Sequence, residues 1–142
     1  MRKDDPVTSG LDEAMARVGD RWTLLVVDAL LDGPQRFSEL QAAIPRVASN
    51  VLTSRLRHLE EQGLVVGVPY SDRPPRMEYR VTESGRDLAG ALRLLGRWGA
   101  RDGGGEVEGP HHRSCGTPLE ARWYCPTCAR VTDRADDDLR WV

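Results

Sequence analysis

Two short segments of helical periodicity, separated by only a few residues, constrain the fold of this chain most strongly. The first, RFSELQAAIP, places Leu40 and Ile44 on one face and ends at Pro45. The apolar stripe of the second, SNVLTSRLRHLEEQG, consists of Leu52, Leu56 and Leu59. Two short helices joined by a tight turn, the second with a polar and basic outer face, are typical of a helix-turn-helix.

The ends of these two helices carry suitable capping residues. Ser38 is predicted to cap the first helix, with Gln41 three residues later as its capping-box partner. Ser49 or Asn50 is predicted to cap the second helix, and Gly63 suits the position just beyond its end.

The pattern changes from period 3.6 to period 2 after the second helix. LVVGVPY and MEYRVT are predicted to be short strands on either side of a polar segment, residues 71–76. Residues 70–77 are predicted to form the wing of the domain. Pro74-Pro75 argues against a two-residue turn, so the tip of the wing is expected to project as a rigid loop. A helix pair followed by a hairpin predicts an α+β fold, the winged helix-turn-helix.

Further helices flank this arrangement. LDEAMARVG is predicted to be a helix closed by Gly19, and DRWTLLVVDALLDG a strongly buried helix. TESGRDLAGALRLLGRWGAR is predicted to be one long helix capped at Thr82, and a glycine run at 103–105 follows it as a flexible linker.

The net charge of −2 argues against strong non-specific affinity for DNA, but the placement of charge matters more than the total. Residues 42–58 contain three arginines, Arg46, Arg55 and Arg57, and no acidic residue. From Gly103 onward, five arginines stand against seven acidic residues. The chain is therefore basic in one window and acidic towards its end.

No segment has the pattern of a membrane span or an export signal. The longest apolar run, residues 24–27, is far shorter than the roughly 20 residues that a membrane helix needs. MRKDDPVTSG, at the N-terminus, is polar and lacks the apolar stretch of a signal peptide. We therefore expect a cytoplasmic protein with reduced thiols.

Several linked motifs resemble the HxlR family of winged helix-turn-helix transcriptional regulators. They are GDRW, GPQRFSEL, LTSRLRHLEEQGLV and PPRMEYRVTESG, within a stretch from about Leu11 to Ala100. The resemblance implies transcriptional control by a homodimer that binds a palindrome-like operator and assembles through the first and last helices of the domain. Many members carry a cysteine just before the first helix; here that position is Ser9, which excludes a thiol switch there.

A recognition helix needs short polar groups near its N-terminal end and longer donors beside them. In the recognition helix, residues 49–62, Asn50 is suited to adenine and Arg57 to guanine or phosphate, while Arg46 in the turn is better placed for phosphate. The resemblance gives Ser38 a role as cap and phosphate donor, and arginines of the wing are suited to the minor groove or backbone. The predicted DNA-contacting residues are Ser38, Arg46, Ser49, Asn50, Thr53, Ser54, Arg57, Arg73 and Arg76.

A pattern of cysteine and histidine residues follows the glycine run. His112-x2-Cys115 and Cys125-x2-Cys128 have the spacing of two zinc knuckles, and zinc prefers four such ligands in a tetrahedron. His111 is an alternative to His112. Because a segment of about 20 residues has too little core to fold alone, we predict a structural zinc ion as cofactor.

These patterns divide the chain into five parts. The predicted parts are a flexible N-terminal arm (1–10), a winged helix-turn-helix domain (11–102), a glycine-rich linker (103–110), a zinc-ribbon-like module (111–132) and an acidic tail (133–142).

Other functions compete with DNA binding. A winged helix can dock another protein, an alternative that the near-neutral charge favours slightly. The Cys/His cluster can make a regulator responsive to zinc or to oxidation. A small-molecule or redox effector is a further candidate partner, with a site near Trp22 and Trp98, although both tryptophans are more readily explained as core residues. An enzyme is not expected, since no nucleophile-and-base arrangement stands out.

Overall fold

The computed structural model describes residues 8–104, 109–132 and 139. These residues fall into two compact units, divided between Leu92 and Arg93. No helix in the described part of the chain is both long and apolar enough to cross a membrane.

The first unit consists of helices and short strands. In chain order they are α1 (Gly10–Val18), α2 (Arg21–Leu31), β1 (Gln35–Arg36), α3 (Phe37–Ala43), α4 (Ser49–Glu61), β2 (Val65–Asp72), β3 (Pro75–Val81), α5 (Glu83–Arg86) and α6 (Ala89–Gly103), which continues into the second unit. The predicted α+β winged helix-turn-helix is confirmed.

Local sequence explains where α1 and α2 begin. The Ser9 hydroxyl accepts a hydrogen bond from the backbone N–H of Asp12 at 3.1 Å. The Asp20 carboxylate accepts from the backbone N–H groups of Trp22 and Thr23 at 3.0 and 3.1 Å. Both arrangements are N-caps, which satisfy amides that have no partner within the helix.

The cap predicted for α3 is wrong. The helix begins at Phe37, so Ser38 lies in its first turn, and Arg36 is the N-cap residue. The backbone N–H of Arg36 donates to the Glu39 carboxylate at 3.3 Å, so Glu39 takes the role predicted for Gln41. The cause lies outside the helix: Arg36 belongs to β1, whose pairing keeps the backbone extended up to this point.

The cap predicted for α4 is also wrong. Neither Ser49 nor Asn50 precedes the helix; Ala48 is the N-cap residue and makes no side-chain capping bond. The Ser49 hydroxyl instead accepts a hydrogen bond from the side-chain amide of Gln41 at 2.8 Å, which links α3 to α4. At the other end, Gly63 has a φ of +70°, as expected for a glycine just beyond a helix.

β3 is the central strand of a three-stranded antiparallel sheet of order β1-β3-β2. The sequence pattern did not predict β1, because a strand of two residues has no readable period. β1 pairs Gln35 with Tyr79 and Arg36 with Glu78. It therefore connects the start of α3 to the hairpin of β2 and β3. We call this whole hairpin the wing.

The tip of the wing is not the projecting loop predicted within residues 70–77. Asp72 and Pro75 pair directly, so the turn contains only Arg73 and Pro74. The Arg73–Pro74 peptide bond is cis, and a cis proline is characteristic of one class of tight turn. Pro75 is tolerated as the first residue of β3, a position where proline does not break a sheet.

The single helix predicted from Thr82 is two helices, α5 and α6, with Asp87 and Leu88 between them. Thr82 is the N-cap as predicted, since its hydroxyl accepts from the backbone N–H of Gly85 at 3.1 Å. A β-carbon on Gly85 would lie 2.1 Å from the carbonyl oxygen of Leu64, so α5 packs tightly on the preceding chain. The apolar spacing continues across the break, and periodicity alone could not reveal it.

The core of the first unit lies beneath α4 and the base of the wing. Its thirteen apolar residues are Val18, Val26, Val27, Leu30, Leu40, Ile44, Val47, Leu52, Leu56, Leu59, Leu64, Val65 and Val81. Each is at most 8% exposed.

The second unit contains the larger part of α6 and a short hairpin. β4 (Trp123–Cys125) pairs antiparallel with β5 (Arg130–Thr132), and His111 forms an isolated bridge with Pro118. The side chain of Trp98 on α6 is 67% exposed, so its expected place in the core is wrong.

Two predicted parts lie mainly outside the described residues. They are the N-terminal arm, described only from residue 8, and the acidic tail at 133–142, described only at Leu139.

Candidate nucleic-acid interface

The outer face of α4 carries five of the predicted DNA-contacting residues. All five are exposed: Ser49, Asn50, Thr53, Ser54 and Arg57. The leucine stripe on the opposite face is at most 1% exposed. Burial of that stripe fixes the rotation of the helix about its axis, and the polar face consequently points away from the core.

The side chains on this outer face differ in their partners. The Thr53 hydroxyl donates to the backbone carbonyl of Ser49 at 2.8 Å, and the Ser49 hydroxyl is held by α3. Among the residues that the structure describes, Asn50, Ser54 and Arg57 have no hydrogen-bond or ion-pair partner. These three side chains therefore carry unused hydrogen-bonding groups.

Arg55, the third arginine of the basic window, is directed elsewhere. Its guanidinium lies 3.2 Å from the Asp20 carboxylate at the start of α2. Burial raises the pKa of the Asp20 carboxyl, but hydrogen bonds from Thr23 and the charge of Arg55 outweigh it and hold that pKa below its ordinary value. Arg55 thus fastens α4 to α2, and the exposed arginines of the window are Arg46 and Arg57.

The turn between α3 and α4 presents Arg46 to solvent. Its backbone has a φ of +66°, a left-handed conformation that is uncommon for a residue with a side chain. Ile44 and Val47 on either side of it are buried. These two anchors hold the turn in place, and the Arg46 side chain is left exposed.

Ser38 and Arg76 are brought together by the fold. Both line an open cavity of about 380 Å³ between the start of α3 and the wing, and both are exposed. Arg73 is also exposed and stands at the tip of the wing.

The same cavity contains two residues to which the sequence pattern did not point, Arg36 and Tyr70. The Arg36 guanidinium lies 4.1 Å from the centre of the Tyr70 ring, which is a cation–π distance. The register of the wing shifts between Pro69 and Ser71, so Tyr70 is the extra residue of a β-bulge. Bulges commonly re-aim a side chain, and this one faces α3.

Comparison with known proteins identifies this arrangement. The model of the HxlR-like helix-turn-helix family matches residues 17–105, more than half of the chain. The chain belongs to the HxlR-like helix-turn-helix family. The matched residues include both helices of the pair and the whole wing.

Individual relatives agree with this assignment. An uncharacterized HTH-type transcriptional regulator of Mycobacterium tuberculosis is 43% identical over 121 residues, 81% of this chain and 74% of that protein. A structure described as a MarR-family transcriptional regulator from Porphyromonas gingivalis has a TM-score of 0.64 and 27% identity, covering 71% of this chain and 99% of that one. The redox regulator HypR in its reduced form has a TM-score of 0.62 and 32% identity, covering 66% of this chain and 95% of that one. This HxlR-like protein is therefore a DNA-binding transcriptional regulator and not an enzyme.

The family match ends before the predicted zinc module. There, His112 Nδ1 lies 3.2 Å from Cys115 Sγ, and Cys125 is hydrogen-bonded to Cys128. The two pairs are not combined: within the described ranges, no group of three or more His, Cys, Asp or Glu side chains is arranged to hold a metal ion.

Local hydrogen bonds make two of the cysteines more acidic. The side chain and backbone of Thr117 lower the pKa of the Cys115 thiol. The backbone and side chain of Cys128 lower the pKa of the Cys125 thiol, and the charge of Arg130 adds to the effect. The thiolate is the form of cysteine that binds metals and reacts with oxidants.

Proposed function

We propose that this regulator binds a palindrome-like operator as a homodimer, with α4 in the major groove and the wing against the adjacent minor groove or backbone. The outer face of α4 carries the proposal, because Asn50, Ser54 and Arg57 are exposed and have no partner within the described residues. A helix in the major groove must offer unused donors and acceptors to the base edges.

Each side chain has a role that fits its chemistry. Arg57 is suited to a bidentate contact with guanine and Asn50 to one with adenine. Ser54 supplies a small donor beside them. Ser49 and Thr53, whose hydroxyls have partners within the chain, contribute mainly by keeping this end of α4 narrow.

The surrounding residues suit the sugar-phosphate backbone. Ser38 and Arg46 lie at the start of α3 and in the turn, where a phosphate contact sets the register of the protein on DNA. Arg76, along the wing, suits the same role. Arg73, at the tip, is suited to a narrow minor groove, which attracts arginine.

Exposed apolar side chains support the homodimer. On α6 they are Leu94, Leu95 and Trp98, and on α1 they are Leu11 and Met15. Large apolar side chains exposed together on one element favour association. A two-fold dimer presents two recognition helices, which is the arrangement that a palindrome-like operator requires.

The DNA contacts are tested with the full-length protein and DNA fragments flanking its own gene, by fluorescence anisotropy at several stated salt concentrations. Arg57→Ala is expected to weaken operator binding by about 10- to 100-fold, about 1–3 kcal/mol, and to relax specificity at one base position. Arg73→Ala is expected to weaken binding to all sequences and to reduce the salt slope by about 1.

Arg86→Ala is the matched control, because it removes an exposed arginine of α5, outside both the helix pair and the wing. It is expected to change neither affinity nor salt slope appreciably. Equal losses for Arg57→Ala and Arg86→Ala would contradict the role of α4. Weak binding of the wild type to every fragment alike would favour a protein-docking function instead.

The homodimer is tested by light scattering coupled to gel filtration. The wild type is expected at twice the chain mass of 15.8 kDa, and Trp98→Glu at a value closer to one chain. An unchanged dimer mass for this variant would exclude Trp98 from the subunit interface.

A further inference from the structure

The C-terminal segment, residues 109–132, has defined turns but no core. None of these residues is buried, and its larger apolar side chains are 46–60% exposed: Leu119, Trp123, Tyr124 and Val131. Chains of this size need a cross-link, a metal ion or a partner to hold one structure. Cys115, Cys125 and Cys128 form no disulfide with one another. The cysteine and histidine residues of this segment are suited to a different cross-link, a bound metal ion.

Two loops of the segment share one backbone feature. Gly116 directly follows Cys115 and has a φ of +72°, and Ala129 directly follows Cys128 and has a φ of +53°. Residues with a side chain seldom adopt this left-handed conformation. Its occurrence at Ala129 therefore cannot be attributed to the flexibility of glycine, as it could be at Gly116. In each loop, the left-handed residue turns the chain just after two candidate ligands spaced three residues apart.

The geometry of the first loop distinguishes the two histidines. His112 Nδ1 and Cys115 Sγ are 3.2 Å apart. Zinc–nitrogen bonds of about 2.0–2.1 Å and a zinc–sulfur bond of about 2.3 Å place two ligands of a tetrahedral ion about 3.6 Å apart. The observed distance is about 0.4 Å shorter, so the two atoms need to separate only slightly to hold an ion between them. The backbone of His111 instead pairs with Pro118, and its ring makes no hydrogen bond to a cysteine among the described residues.

We propose that His112, through Nδ1, and Cys115, Cys125 and Cys128 bind one zinc ion, and that binding joins the two preformed pairs into one tetrahedral site. Residues 119–122, between the pairs, are exposed and belong to no helix or strand, so the loops can approach without breaking the β4–β5 hairpin. Four protein ligands leave no open position for water, which makes the ion structural. The proposal goes beyond operator binding and does not depend on it.

Cobalt substitution tests the geometry in the full-length protein without any substitution in the chain. Zinc is measured by elemental analysis after purification, removed with a chelator under reducing conditions, and replaced by Co²⁺. We expect one metal ion per chain, the intense visible absorption of tetrahedral cobalt, and a sulfur-to-cobalt charge-transfer band from three thiolates. The weak spectrum of six-coordinate cobalt, or no retained metal, would overturn the proposal.

Neighbouring histidines provide matched variants for the ligand assignment. Loss of a residue that only supports a metal ligand weakens metal binding by about 10- to 100-fold. His112→Ala removes a ligand itself and is therefore expected to raise the Kd for zinc by about 100-fold or more. His111→Ala, one residue away, is expected to leave the Kd unchanged. His112→Cys is expected to restore tight binding and to increase the charge-transfer band by about one third, because a fourth thiolate replaces the imidazole.

The opposite pattern, loss with His111→Ala and retention with His112→Ala, would overturn the assignment of His112. Cys128→Ser tests the second pair separately and is expected to raise the Kd for zinc and to lower the charge-transfer band of bound cobalt by about one third, because two thiolates remain of three. An unchanged Kd and an unchanged charge-transfer band in Cys128→Ser would overturn the four-ligand site. Far-ultraviolet circular dichroism of each variant verifies that the winged helix remains folded.

Discussion

The winged helix and the C-terminal segment differ in what keeps their backbones in place. In the winged helix, thirteen buried apolar residues hold the helices, and the polar face of α4 contributes nothing to that core. In residues 109–132 no residue is buried, and the ordered features are the short β4–β5 hairpin and the turns around cysteine and histidine. The first region can therefore fold before it meets its ligand, whereas the second has no core and, under the zinc proposal, is held by the metal ion that its cysteine and histidine residues bind.

The largest expected effect comes from opening the core. Leu30, on α2, is 1% exposed, and Leu30→Ala is expected to lower the free energy of unfolding by about 2–5 kcal/mol, since it leaves a cavity. Leu119→Ala is the control in the C-terminal segment, with an expected change within about 0.5 kcal/mol. Urea denaturation followed by circular dichroism measures both. Similar losses for the two variants would show that the two regions do not differ as described.

A smaller effect is expected at the start of α2. Asp20→Ala removes an N-cap and the partner of Arg55, and is expected to cost about 1–2 kcal/mol at neutral pH. Asp20→Asn is the control, since asparagine caps a helix about as well as aspartate but carries no charge. It is expected to lose only the ion pair.

A comparison of the wild type with Asp20→Asn also gives a pH test. The folded-state pKa of Asp20 lies below its ordinary value of 3.8, so its charge stabilises the fold above that pH and ceases to do so as the pH falls through the folded-state pKa. The stability advantage of the wild type over Asp20→Asn should therefore shrink between about pH 6 and about pH 3. An advantage that stays constant over this range would contradict the assignment.

A still smaller effect is expected from the contact between Arg36 and Tyr70. A double-mutant cycle of Arg36→Ala and Tyr70→Ala is expected to give a coupling energy of about 0.5–1 kcal/mol, because the pair is partly exposed. Tyr70→Phe keeps the ring and should retain most of the coupling. Full loss of coupling in Tyr70→Phe would assign the interaction to the hydroxyl instead.

Metal removal is expected to have the smallest effect of all on the stability of the winged helix. If zinc cross-links only residues 109–132, a chelator should leave the Tm of the winged helix unchanged. Limited proteolysis should nevertheless become faster within that segment. A clear fall in the Tm would mean that the winged helix itself depends on the metal.

Burial explains which elements the sequence predicted correctly. The stripe of Leu52, Leu56 and Leu59 predicted both the existence of α4 and its outward face, because a core selects apolar residues at helical spacing. The N-caps of α3 and α4 were predicted wrongly because a cap also depends on tertiary neighbours. Ser49 bonds to α3, and β1 fixes where α3 starts.

Contacts between residues far apart in the chain explain which features of the candidate interface could not be predicted from the sequence. Exposure of the predicted polar residues followed from the helical pattern. The role of Arg55 did not, because its partner Asp20 is 35 residues away and no local pattern links them. The contact of Arg36 with Tyr70 likewise needs a bulge whose position only the strand register reveals.

The bulge at Tyr70 also separates the wing into an inner and an outer part. The inner pairing is anchored by the buried Val65 and Val81, and a slip there would disturb the core. No residue from Ser71 to Arg76 is buried, and strand register is weakly specified where no face is buried. The outer wing is thus adjustable: two residues added to each strand beyond Ser71 would extend its reach by roughly 7 Å. If the wing contacts the flanking minor groove as proposed, operator preference there is open to redesign by wing length alone, with α4 left in place.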